Sequence, residues 1–239
     1  MARYGHRVLW VLFLSGVFDP MRFDHTIRDL EEVRRVYSLW GRHPRLYAAQ
    51  DWITFMGRHR RIREGAVEAA AIQPNARVLE VACGTGRNFP YIEDRIGPGG
   101  QLVGFDYSHE MLAAARDFGM RRGWSNIEFV QGDAAVLDVG SQPFDAVVSV
   151  LGISAVPDHL AALRRCRDIL RSGGVLAVCD ARLFSGALAV FNPLVRTIYG
   201  RGAAWNPDRD LPGDMRRVFG NVSVTTYNRG TLFVAFATK

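Results

Sequence analysis

Lysine is almost missing from this chain of 239 residues: Lys239 is the only one, so 29 of its 30 basic side chains are arginines. That gives it cations that stay charged and suit bidentate pairing with anions. Cysteine is scarce too. Cys83, Cys166 and Cys179 are odd in number and far apart, with no C-x-x-C and no histidine at zinc spacing. They indicate neither a disulfide framework nor a structural metal, and they fit a reducing, cytoplasmic setting. No apolar run approaches the ~20 residues a helix needs to cross a bilayer. Repeats and low-complexity linkers are also lacking. With 48% hydrophobic and 23% charged residues, a disordered tail, a collagen-like fibre and a disulfide miniprotein are all excluded.

The charge is unevenly placed. Residues 1–77 hold 13 arginines against 8 acids, leaving 17 basic and 16 acidic residues for the rest of the net +6 chain. The apolar run VLWVLFLSGVF at 8–18 follows Arg3, His6 and Arg7 and resembles a signal-peptide core. No small-x-small cleavage pattern follows it, so the expectation is a helix packed on the domain or lying in a membrane surface.

From about 24 to 71 the pattern is helical, with Ile27, Leu30, Val33, Val36, Tyr37 and Trp40 at spacings of three and four. Gly41 to Pro44 breaks it, and a second stretch at roughly 45–71 carries Tyr47, Trp52 and Phe55. After residue 73 short apolar runs alternate with helical segments. The strands read as 77–82, 101–106, 127–133, 144–152, 174–180, 221–227 and 231–238, and the helices as 87–96, 108–122, 158–171 and 189–200. This alternation predicts an α/β fold with a doubly wound, mostly parallel seven-stranded sheet. A helical cap at 1–72 would precede a ligand-binding domain at 73–239, with a lid-like insertion at 181–217.

Ligands of such sheets bind beyond the carboxyl ends of the strands, near the point where strand order reverses. The first strand ends in Glu80-Val81-Ala82-Cys83-Gly84-Thr85-Gly86. Gly84 and Gly86 permit a tight turn and close backbone approach to a ligand. A dinucleotide loop would place a third glycine where this chain has Phe89, which weighs against NAD or FAD. Asp106, at the end of the second strand and 20 residues past Gly86, is placed to accept from both hydroxyls of a ribose. Asp133, after the third strand, is placed to read an adenine amino group.

In this order and spacing the sequence resembles the class I S-adenosylmethionine (SAM) dependent methyltransferases over about residues 45–182. VLEVACGTG is similar to the family's glycine motif, GFDYSHEML to its ribose-binding strand end, GDA to its adenine-side motif, and LRRCRDILRSGGVLAVCD to its last helix, turn and fifth strand. The resemblance implies SAM as cofactor and a Rossmann-like sheet. Glu80 would orient the methionine amino group through the loop, with Ala82, Gly84 and Gly86 along the amino-acid moiety. Asp106 would hold the ribose, Tyr107 and Met111 would flank the adenine, Asp133 and Ala134 would close its edge, and Leu151 would sit beside the sulfonium.

Within the superfamily, FMGRHRRIRE (55–64) and FDAVVSVLGISAVPDHLAAL resemble the quinone-biosynthesis C-methyltransferase group. That group carries an Arg-Asn pair after the fourth strand where this chain reads Ser154-Ala155. Phospholipid and amino-lipid N-methyltransferases share the scaffold without needing the pair. N- or O-methylation of a small hydrophobic or lipid-like acceptor is therefore favoured, with C-methylation of a quinone-type ring and RNA modification as alternatives.

Transfer of an activated methyl group needs alignment and exclusion of water and no covalent residue. Among the histidines, His59 is the leading candidate base, ahead of His109 and His159. Tyr37, Trp40, Tyr47, Trp52, Tyr199 and Trp205 are aromatic candidates for the acceptor site, since aromatic faces stabilise a developing cation. The apolar start, the arginine-rich first third and these aromatics point to a lipid-like substrate met at a membrane periphery. Nucleic acid is a poor fit, because the cations alternate with acids, as in IRDLEEVRR.

Overall fold

The computed structural model describes residues 29–202 and 204–239. The reading of the apolar start at 8–18 lies outside them. Seven strands form one sheet: β1 (Arg77–Val81), β2 (Gln101–Asp106), β3 (Ile127–Gln131), β4 (Phe144–Val150), β5 (Leu170–Ala181), β6 (Ser223–Tyr227) and β7 (Leu232–Thr238). Their order is β3-β2-β1-β4-β5-β7-β6, and only β7 runs against the others. Order reverses between β1 and β4, so the crevice at their carboxyl ends is where a ligand belongs.

Both faces of the sheet are covered, which is why its central strands read as unbroken apolar runs rather than alternating ones. The pleat sends Val78 to one core and Leu79 and Val81 to the other. The first core is closed by α3 (His59–Ala69), through Ile62, Ala66 and Val67, and by α4 (Phe89–Ile96), through Phe89, Ile92 and Ile96. The second is closed by α6 (His159–Ile169), through Ala162, Leu163 and Cys166, and by α8 (Leu211–Phe219), through Leu211 and Met215. All three cysteines are buried free thiols.

Two helices cover the carboxyl edge, α1 (Leu30–Arg42) and α2 (Pro44–Thr54). Asp29 caps α1 by accepting from the Glu32 amide at 2.8 Å, and Pro44 opens α2 where its missing N–H costs nothing. The cap is strapped to α5 (His109–Arg122), whose Glu110 accepts from Ser38 Oγ at 2.7 Å and from Arg42 at 3.3 Å. The Ser38 hydrogen bond holds the Glu110 carboxyl down to about 2. At Gly41 the two helices nearly touch: a Cβ there would lie 2.6 Å from the Glu110 carbonyl carbon.

The second helical stretch, expected to run unbroken from 45 to 71, is two helices. Met56 (φ 49°) and Gly57 (φ 74°) form a left-handed turn between α2 and α3. The insertion after β5 holds a 3-10 turn at Gly186–Phe191 and α7 (Asn192–Gly202). The segment at 211–219, read from sequence as the tail of a lid, is α8, because Asp210 caps it by accepting from the Gly213 amide at 3.1 Å and its apolar side faces the core.

Candidate cofactor and acceptor site

The loop after β1 is built on steric necessity. Gly84 has φ 55° and Gly86 φ 76°, and a Cβ on Gly86 would sit 2.6 Å from the Phe89 ring. Phe89, which breaks the dinucleotide pattern, therefore fills the space behind the loop. A Cβ on Gly84 would meet nothing closer than the Tyr47 hydroxyl at 3.8 Å, so that face of the loop is open to a ligand. Ala82 also takes a positive φ, 53°, as does Leu151 at 56°. Strain of this kind in non-glycine residues collects at ligand sites.

Asp106 ties the loop to β2. Its Oδ2 accepts from the Gly84 amide at 2.8 Å and its Oδ1 from the Ser108 amide at 2.9 Å. Each carboxylate oxygen retains a lone pair for a ligand hydroxyl. Burial raises its pKa to about 6 despite those amides. Asp133 spends one oxygen on the Ala135 amide and keeps the other. Ala82, Gly84, Asp106, Tyr107, Asp133, Ala134 and Leu151 line one cleft, roofed by Leu30, Val33, Arg34 and Tyr37 of α1. A glycine cradle, two acids with spare acceptor capacity and apolar walls between them are the groups that a sulfonium nucleoside requires, so the residues present fit SAM.

Three expected residues lie outside this cleft. Met111 is fully buried against Val36 and Trp40, where it anchors the cap rather than flanking a base. Gly86 acts through Phe89, behind the loop. Glu80 is fully buried and accepts from Asn88 Nδ2, while Arg63 donates to Asn88 Oδ1 and to Asp51. Arg87, on the glycine loop, pairs with the other oxygen of Asp51 at 3.0 Å. A buried network thus runs from the cap through α3 to the end of β1. Glu80 Oε2 is buried without a partner in the structure, and burial raises its pKa to about 8. The sequence reading missed Asp51, Arg63 and Asn88; three lone polar residues on separate elements carry no common spacing.

A second cavity, of about 370 Å3, opens beside the first and shares Tyr37, Tyr47 and Leu151 with it. Tyr199 and Trp205, two of the candidate acceptor residues, line it with Phe184, Val195 and Leu232. Trp52 does not, being 49% exposed on the outer side of α2. His59 lies in neither cavity, and its Nδ1 is buried without a partner at the start of α3. His159 pairs with Asp214 at 2.9 Å on the far side of α6, and His109 faces outward at the start of α5. Asp180, at the end of β5, is fully buried and lines the second cavity beside Ser154. Reading strand ends for acids, as for Asp106, would have found it. Among the described residues no cluster could hold a metal ion.

Residues 78–174 match a family model described as a methyltransferase domain. The demethylmenaquinone methyltransferase of Staphylococcus carnosus is 28% identical over 85% of this chain and 92% of its own length. That of Listeria welshimeri is 31% identical over 59% of this chain and 60% of its own, so the better-conserved match spans little more than half of each protein. Among solved structures, a SAM-dependent methyltransferase of Thermotoga maritima superposes with a TM-score of 0.64 at 20% identity, covering 85% of this chain and 99% of that one, and so shares the fold. Strand order, glycine cradle, paired acids and these likenesses converge: the chain carries a methyltransferase domain on the fold of the SAM-dependent methyltransferases and is similar to demethylmenaquinone methyltransferases.

Proposed function

We propose that the enzyme methylates a lipophilic acceptor bearing an ionisable hydroxyl, with C-methylation of a quinol-type ring as the leading reaction. The supporting observation is the second cavity: a largely apolar chamber that meets the cofactor cleft at Tyr37, Tyr47 and Leu151 and holds the buried carboxylate of Asp180. The demethylmenaquinone methyltransferases among its relatives support a ring acceptor and move C-methylation ahead of the N- or O-methylation favoured from sequence.

When bound, SAM supplies a methyl group already activated toward nucleophiles. The chain's residues hold and align: Asp106 and Asp133 take the ribose and adenine, and the glycine loop takes the amino-acid end. Leu151, held at a left-handed φ at the end of β4, stands where cleft and chamber meet and keeps water from the transfer. Tyr37, Tyr47, Tyr199 and Trp205 offer aromatic faces to a flat ring. The same faces would steady a developing ammonium, which supports amine methylation as the second reading.

The chamber mouth supports a membrane-proximal substrate. Of eight large apolar side chains exposed among the described residues, Trp52, Ile53, Met56, Val190, Phe191 and Leu194 all lie on α2, its exit turn and the insertion. Ile53 and Met56 also line the chamber, so the apolar rim continues inward. Such a rim suits a bilayer surface from which an acceptor with a long tail presents only its head. No helix among the described residues is long and apolar enough to cross a membrane.

The test supplies labelled SAM with demethylmenaquinol in one arm and phosphatidylethanolamine in the other, both in mixed micelles. Label on the ring is expected. Label only on the amine would move the second reading to first place, and label on neither would end both.

A further inference from the structure

Asp180 is the one carboxylate in the chamber wall that is not committed to an arginine: Asp51, the other, is held by Arg63 and Arg87. Its Oδ1 accepts from Ser154 Oγ at 2.7 Å and from the Ala181 amide at 2.8 Å, and its Oδ2 from the Ser154 amide at 3.1 Å. A carboxylate offers about four acceptor positions. One remains, on Oδ2, in a group that lines the cavity.

The turn bearing Ser154 is braced from behind. Arg209, at the end of the insertion, donates to the carbonyls of Ser154 at 2.9 Å and Pro157 at 2.9 Å, and to that of Val156. Ser154 therefore has a fixed backbone and a hydroxyl aimed at Asp180. The residues that follow β4 here, Ser154-Ala155, provide no cation to steady a deprotonated ring from that side. His59 lies in neither cavity and Ser154-Ala155 bring no base, so the acceptor position left on Asp180 is the proton acceptor that the chamber wall offers.

We propose that Asp180, oriented by Ser154, is the catalytic base that removes the acceptor's hydroxyl proton. This rests on the reading of the acceptor as a hydroxylated ring. The O–H bond breaks and its proton passes to Asp180 Oδ2, leaving the electron pair on the acceptor. That pair, delocalised into the ring, forms the bond to the methyl carbon as the carbon–sulfur bond breaks and its electrons stay on sulfur. For transfer to carbon, the proton on the methylated ring carbon is lost to water as the carbonyl becomes hydroxyl again, taking back the proton held by Asp180. The net reaction releases one proton.

Burial raises the Asp180 pKa to about 6, against the hydrogen bonds from Ser154 and the charge of Arg209. Tyr37 of α1 and Cys179 of its own strand are the other titratable groups coupled to it, and both are held neutral by burial. The carboxylate is thus ionised at neutral pH and poised near its working range.

The test uses the full-length protein without cofactor and 2-naphthol as a ring probe, since its neutral and ionised excited states emit at different wavelengths. The wild-type protein should bind the probe and show the anionic emission. Asp180→Asn, which keeps the shape and an acceptor oxygen for the Ser154 hydroxyl while removing the basic oxygen, should bind it within threefold and lose at least tenfold of that emission. Undiminished anionic emission from Asp180→Asn overturns the assignment. Failure of the wild-type protein to bind the probe would instead remove the hydroxylated-ring reading and the base with it. Ser154→Ala gives an independent check: without its hydrogen bond the acid limb of the pH–rate profile should move to higher pH, and an unmoved limb counts against the pair.

Discussion

Replacing Gly41 with alanine should loosen the cap, although alanine is the better helix former. A Cβ at this position meets the Glu110 carbonyl carbon at 2.6 Å, the Glu110 Cβ at 2.7 Å and the Met111 amide nitrogen at 2.7 Å. Two of those three atoms are backbone of α5, itself fixed by the Ser108 cap and buried Met111, so no side-chain rotation relieves the overlap. Overpacking of this kind costs about 1–3 kcal/mol. The gain in helix propensity is about 0.5–1 kcal/mol and smaller near a helix end. The net is about 1–2 kcal/mol against docking, a ~5–30-fold rise in the population with α1 lifted. Limited trypsin digestion reads that population, because Arg34 and Arg35 are exposed on α1 and cleavage follows the open fraction when reclosing is fast. The first-order rate of cut at these sites should rise ~5–30-fold while the melting of the sheet domain changes little. A rate equal to or below wild type would show that helix propensity governs the site and that the close approach is not a constraint.

The two loop glycines should separate by mechanism. Gly86→Ala drives a methyl into the Phe89 ring and should lower stability in urea by about 2–4 kcal/mol, whereas Gly84→Ala meets only strain, about 1–2 kcal/mol, yet should abolish calorimetric uptake of S-adenosylhomocysteine. Arg63→Met leaves Asp51 buried with half its pairing and should cost about 3–5 kcal/mol in the same denaturation assay, with a cost below 1 kcal/mol contradicting the network. Glu80 has a folded pKa of about 8, above the ordinary carboxylate range, so its ionisation destabilises the fold progressively as pH rises from about 4.5 to 8. Glu80→Gln should therefore raise the melting temperature more at pH 8 than at pH 5, and a pH-independent difference between the two proteins would refute the titration.

The cofactor half of the molecule was legible because its determinants are local. A strand, a glycine turn and an acid at the next strand end are each specified within a few residues, and the βαβ repeat fixes how those pieces meet. The seven strands were accordingly read to within a few residues, and seven of the ten expected cofactor residues line one cleft. The misses share a cause. Met111 sits one helical turn past Ser108 and reads as a base-flanking residue until α1 is seen lying on it, held there by the close approach at Gly41 and the Ser38–Glu110 hydrogen bond. Glu80 stands next to the end of its strand as a ligand-facing acid should, but Asn88, itself held by Arg63, claims it.

Acceptor chemistry is assembled from longer distances, and this bears on how such an enzyme changes substrate. The chamber draws Tyr37 from α1, Thr54 from α2, Leu151 and Ser154 from the turn after β4, Asp180 from β5, and Tyr199 and Trp205 from the insertion. Asp180 stands at a strand end and Leu151 one residue past another; the rest sit on turns, helices and the insertion, joined to one another by contacts such as Thr54 Oγ1 to the Tyr199 hydroxyl at 3.4 Å. The buried Trp205 indole N–H has no partner in the structure, so the chamber offers a donor as well as the Asp180 acceptor. A ring carrying one oxygen that donates and another that accepts satisfies both, whereas a simple amine leaves the indole unpaired, at a cost of about 1–3 kcal/mol. Trp205→Phe, which removes only that donor, should then raise KM for a quinol about 5–100-fold and leave KM for an amine lipid unchanged. Equal effects on both acceptors would mean that the indole merely packs.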